Sequence, residues 1–171
     1  MFSIQACTLP SSALLRVYQV NGAFADCYTT VVAGTVTHQQ FVAAFYSSVV
    51  FKVERGILKW AVRRPSTDAQ AKQLAAGLID EFAAWRVEQR AENQLLLSDF
   101  RGRTRSWLMV MPITVGASQG TRLYFGSAVV PAKGRGVGAP SLGRVFHALL
   151  GFHKIYSMVL LRAAKGRLTL F

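Results

Sequence analysis

Acidic side chains run out at Asp99, well before the chain does. Eight Asp and Glu stand against 20 Lys and Arg, and residues 101–171 hold 11 of those basic residues with no carboxylate side chain among them. A basic half of this kind can attract phosphates, anionic lipid headgroups or an acidic ligand, so a polyanion contact through residues 101–171 is one expectation. Net charge speaks first to solubility and non-specific binding, however, and a basic surface with no dedicated partner is the plainer reading.

Charge of either sign is also scarce, at 16% of residues, against ~25% in ordinary domains. With 51% hydrophobic residues, this excludes a disordered segment, a solvated linker and a long charged coiled coil. Cysteine is limited to Cys7 and Cys27, with no CxxC pair, which argues against a disulfide scaffold, a zinc site or a redox motif. Two free thiols in a reducing compartment are expected. GxSxG, HExxH and the P-loop are missing. His147 and His153 stand six residues apart, on opposite sides of a helix, so they do not suggest a shared metal, and no cofactor is expected. The glycines of KGRGVGAP lack the spacing and setting of a dinucleotide loop. Met1 to Leu15 lacks the features of a signal peptide, and Leu142 to Leu161 is broken by Arg144, His147, His153 and Lys154, so no transmembrane segment is read and a cytoplasmic protein is expected.

The 171 residues suit one domain with its own core. Residues 1–13 read as a flexible tail and 14–171 as the domain. Leu15 to Val20 alternates like a strand, Asn21-Gly22 is a hairpin turn signal, and Phe24 to Val32 reads as the return strand. Thr37 and Gln40 form a capping box at the start of two short helices, or one bent one, across 38–62, ended by Arg63-Arg64-Pro65-Ser66. Thr67-Asp68 opens a further helix with apolar positions at Ala71, Leu74, Ala75, Leu78, Ile79 and Phe82. From Trp85 the period falls to two. Short turns at Glu92-Asn93 and Arg101-Gly102 then give a four-strand meander that ends with Thr121 to Val130. Pro131 to Pro140 reads as a mobile loop. Ser141 caps a long final helix that ends near Lys165, with Gly166 as its C-cap. The expected class is α+β: a curved antiparallel sheet, from an N-terminal hairpin plus the meander, wrapped on a long C-terminal helix.

This order across residues 15–165, with the run Phe146-His147 and Phe152-His153-Lys154-Ile155-Tyr156-Ser157, resembles the START-like, or helix-grip, superfamily. It is also similar to small bacterial proteins of unknown function such as the DUF2867 group. The resemblance implies a cavity between sheet and last helix that holds a hydrophobic or amphipathic small molecule. It implies no single reaction, since members include carriers, sensors and cyclases.

The residues themselves supply candidates for such a site. Arg103, Arg105 and Trp107 alternate with Thr104, Ser106 and Leu108 on a strand. Two arginines at that spacing can clamp a carboxylate or phosphate, or can pair on an outer face with Glu88 or Asp99. Tyr124, Gly126 and Ala128 share one strand face, while Phe125 and Ser127 share the other. Gly126 marks either a sheet kink or a place where a ligand nears the backbone. In the last helix His153 and Tyr156 reach one side, where His153 could carry a proton and Tyr156 orient a carbonyl, or the two could be a buried pair satisfied by structural hydrogen bonds. Glu54 is a candidate for an internal ion pair with an arginine of the 101–105 run. The expected activity is binding of a small hydrophobic or amphipathic ligand, with an anionic group admissible. Trp107, Tyr124, Phe125, His153 and Tyr156 would line the cavity, and Arg103 and Arg105 would stand at its mouth. An enzyme using His153 or Glu88 as base with Tyr156 is the alternative. A basic, aromatic sheet face that stacks single-stranded nucleic acid is the further one. A free strand edge leaves a homodimer open.

Overall fold

The computed structural model describes residues 3–52, 66–130 and 143–168, with side chains from residue 154 onward in the last stretch. The chain is α+β. Gln5–Ala6 (β1) is followed by the short helix Arg16–Val20 (α1) and the strand Phe24–Ala33 (β2). The helices His38–Tyr46 (α2) and Asp68–Ala75 (α3) come next. Then come the strands Glu81–Phe82 (β3), Trp85–Ala91 (β4), Gln94–Asp99 (β5), Thr104–Val115 (β6) and Ser118–Val129 (β7). The helix Gly143–Leu168 (α4) closes the order. The strands form one seven-stranded antiparallel sheet in the order β1-β2-β7-β6-β5-β4-β3. The meander is as expected, and the first long strand, β2, pairs with the last, β7.

Local signals explain most boundaries. Thr37 and Thr67 each accept the main-chain N–H three residues on, and Gln40 and Gln70 reach back to the cap N–H, so both helices begin with a full capping box. Residues 49–52 are helical again after Ser47, in keeping with two short helices. The continuation through Glu54 to Trp60, the Arg63-Arg64-Pro65 stop, the Pro131 to Pro140 loop and the Ser141 cap lie outside the described residues.

Three boundaries differ from the sequence reading. Leu15 to Val20 is not a strand but a helical turn: Leu15 is fully buried, Tyr18 packs beside it, and Val17 and Val20 face solvent, which is a three-residue repeat. The edge partner of β2 is Gln5–Ala6 instead. The third helix stops at Ala75 and does not continue to Phe82. Gly77, at φ +75°, allows its N–H to bond Leu74 O and Leu78 N–H to bond Gln73 O, a Schellman closure that leaves Leu78 exposed. Gly166 lies inside α4 rather than capping it.

The sheet is covered on both faces. Its inner face places Leu95, Leu97, Leu108, Leu123 and Phe125 against Phe41 and Phe45 of α2, Leu74 of α3 and Leu160, Leu161 and Ala164 of α4. Its outer face places Leu96, Trp107, Met109, Tyr124 and Ala128 against Leu9, Ala13 and Leu15. Residues 3–13, expected as a loose tail, therefore form with α1 a strap across the sheet. Gln94 pins it: its Oε1 accepts from Leu14 N–H at 3.0 Å and Trp107 Nε1 at 2.9 Å, and its Nε2 donates to Ser12 O at 3.0 Å.

A pocket between the sheet and the C-terminal helix

Strand alternation decides what faces the helices. Thr104 and Ser106 of β6 and Phe125 and Ser127 of β7 share the inner face with Trp85 of β4. Tyr156, Ser157 and Leu160 of α4 stand opposite, Phe45 and Phe51 close one side, and Asp99 and Phe100 border the other. Together they enclose a pocket of about 300 Å³.

Its wall is aromatic. The Phe45 ring packs on Phe125 with centroids 4.8 Å apart, and Phe51 meets Tyr46 edge-to-face at 4.9 Å. Such interlocked rings hold their shape without a ligand. The polar groups fall into two sets. In the first, Ser106 Oγ is 3.0 Å from Tyr46 Oη, Ser127 Oγ donates to Asp26 Oδ1 at 2.6 Å, and Asp99 Oδ1 accepts the N–H groups of Arg103 and Thr104. In the second, Ser157 Oγ and Trp85 Nε1 are buried with no hydrogen-bond partner among the described residues. A buried hydroxyl left unsatisfied costs ~1–3 kcal/mol, so a bound group that meets it gains an advantage. Tyr28, on the same sheet face, stays protonated: burial, with the Asp26 carboxylate beside it, pushes its phenol up to about 12.

Of the residues singled out in the sequence, Phe125 and Tyr156 line this pocket together. Trp107 and Tyr124 do not. They lie in the outer core, their rings 6.2 Å apart, because odd and even positions of β6 and β7 point to opposite faces. Arg103 turns its Nε to Val130 O at 3.1 Å. Arg105 borders the pocket with its backbone strand, but its guanidinium goes to the strap side. There it lies 4.5 Å over the Tyr18 ring, with Nε 2.7 Å from Glu88 Oε2 and Nη1 donating to Gly102 O. Tyr18 Oη donates to the same Glu88 carboxylate. Arg105 thus follows the outer-face pairing with Glu88 and is not an anion clamp. Glu88 and Tyr156 are on different sides of the sheet, so they do not form one acid/base pair. The side chain of His153, and all of Glu54, lie outside the described residues.

At Gly126 it is the protein's own side chains that come close to the backbone. A Cβ there would stand 2.9 Å from Leu15 Cδ2 and from Trp107 Cε3, so the glycine lets the strap and the indole close on the strand. Trp107, Tyr124 and Phe125 are all buried, and they offer no stacking face for single-stranded bases. Among the described residues no helix is long and apolar enough to cross a membrane, and no three His, Cys, Asp or Glu side chains gather as metal ligands.

The sequence reading missed Asp26, Trp85 and Ser157 as pocket-side groups. The signal for Asp26 was present: it is a lone carboxylate in an otherwise uncharged strand, two residues before the inward Tyr28. No family model matches the chain, and no curated protein matches it in sequence.

Proposed function

We propose that the protein binds a small, largely apolar molecule carrying a neutral hydrogen-bonding group, held between the sheet and α4. The observation that carries this reading is Ser157 Oγ, fully buried and without a partner among the described residues on the wall of an aromatic pocket. A volume of about 300 Å³ lies at the small end of the ~300–1,000 Å³ of ligand sites. A neutral group is favoured over an anionic one because Arg103 and Arg105 are engaged elsewhere and a carboxylate, Asp99, borders the pocket. The START-like resemblance belongs to the same proposal. It is supported by the element order, with helices between the first long strand and the meander and α4 packed on the sheet.

Native mass spectrometry of freshly purified protein, with the same sample denatured, tests the reading. The expected result is a discrete added mass that is lost on denaturation, and absent from Ser157→Phe. An added mass retained equally by Ser157→Phe places the ligand elsewhere and overturns it.

A further inference from the structure

Cys7 and Cys27 are twenty residues apart, yet they meet where the strap crosses the sheet. The register that pairs Gln5 with Thr29 and Ala6 with Tyr28 brings Cys7 opposite Cys27 at the next step, and Cys7 N–H donates to Cys27 O at 2.9 Å. Residues directly opposite in a hydrogen-bonded antiparallel pair have Cα atoms ~5.5 Å apart, inside the ~4.4–6.8 Å span a disulfide bridges. The two thiols are free, with Sγ atoms 3.1 Å apart, Cys27 buried and Cys7 partly exposed. This pair is independent of the ligand pocket, because it lies on the opposite face of the sheet.

We propose that Cys7 and Cys27 form an oxidisable dithiol, in which Cys7 is the attacking thiolate, Cys27 the resolving thiol and a low-molecular-weight disulfide the oxidant. Cys7 Sγ attacks one sulfur of the small disulfide, the S–S bond breaks, and one thiol leaves with its electron pair. Cys27, losing its proton, then attacks Cys7 Sγ in the mixed disulfide and releases the second thiol. The protein loses two protons and two electrons, the equivalent of two hydrogen atoms, and the small disulfide gains them to become two thiols. The local electrostatics fit this order. The hydrogen bond between the sulfurs, helped by the positive charge of Arg122, holds Cys7 below the ordinary thiol value, while the same bond and burial push Cys27 up. Oxidation would tie the strap covalently over Trp107 and Tyr124.

The test exposes the full chain to glutathione disulfide, quenches with iodoacetamide under denaturing conditions, and reads intact and peptide masses. Wild type is expected to lose two hydrogens, to carry no alkylated cysteine and to give a Cys7–Cys27 cross-linked peptide. The cross-link should form at least tenfold faster in the folded chain than in urea. Cys27→Ser should stop at a glutathione adduct on Cys7, and folded Cys7→Ser should react at least tenfold more slowly than wild type. A folded wild type that keeps both thiols alkylatable, or that cross-links no faster than the urea-unfolded chain, overturns the proposal. A Cys7→Ser chain that reacts as fast as wild type overturns the assigned order.

Discussion

Single residues show how far parity governs this molecule. The alternation of Arg103, Arg105 and Trp107 with Thr104, Ser106 and Leu108 was legible, and so was the split of Tyr124 from Phe125. Which face carried the pocket was not, because both faces are apolar and both are buried. Gly126 is the sharpest single-residue consequence. Gly126→Ala adds a methyl 2.9 Å from both Leu15 and Trp107, and overpacking of this kind costs ~1–3 kcal/mol. Urea unfolding should show that loss with an unchanged slope. His38 gives the pH consequence. It begins α2, where burial is the main cause that lowers it to about 4; a hydrogen bond to the Leu108 main chain opposes the shift and the positive charge of Arg90 adds to it. The unfolded imidazole binds a proton below ~6.5, so the contribution of His38 is complete above that pH and falls away as pH drops toward 4. The expected loss is ~2–3 kcal/mol across that window. Thermal midpoints of wild type and His38→Gln between pH 7 and pH 4 should converge on acidification.

At the scale of elements, helix starts were readable because a capping box is local chemistry, and Thr37 and Thr67 both supply one. The meander was readable because its turns are short and its strands keep a period of two. The strap was harder to read. Leu15 to Val20 contains apolar residues that satisfy either an alternating or a three-residue repeat, and only the packing of Leu15 and Tyr18 on the sheet selects the helix. A signal for a covered outer face was present all the same: Leu95-Leu96-Leu97 and Trp107 to Met111 are unbroken apolar runs, as expected of strands buried on both sides. Gln94 joins strap and sheet through three hydrogen bonds. Gln94→Leu leaves the buried Trp107 Nε1 and the Leu14 N–H without that acceptor, at a cost of ~2–4 kcal/mol for two orphaned donors. Hydrogen exchange at Leu14 and at the Trp107 indole should accelerate, while ligand uptake by the pocket, on the other face, stays unchanged.

Over the whole molecule, the α+β class and the sheet wrapped on a C-terminal helix followed from element order alone. The ordered β1 and strap did not, because their partners come from distant strands: β2 for β1, and β5, β6 and β7 for the strap. Of the basic residues in 101–171, Arg103 turns its Nε to a main-chain carbonyl and Arg105 pairs with Glu88. The sheet ends on the two-residue strands β1 and β3, which pair only with Tyr28 and Thr29 of β2 and with Trp85 and Arg86 of β4.

Sheet and α4 enclose an aromatic pocket onto which Ser157 presents a fully buried hydroxyl with no partner among the described residues. Titration of the purified protein with a neutral naphthyl probe such as N-phenyl-1-naphthylamine tests this most directly, in wild type and in Ser157→Phe, which fills the pocket. The account predicts saturable one-site fluorescence enhancement in wild type, lost at least tenfold in Ser157→Phe, while the variant's thermal midpoint is held or raised because a void has been filled. No saturable binding by wild type, or equal binding by the two proteins, would contradict it.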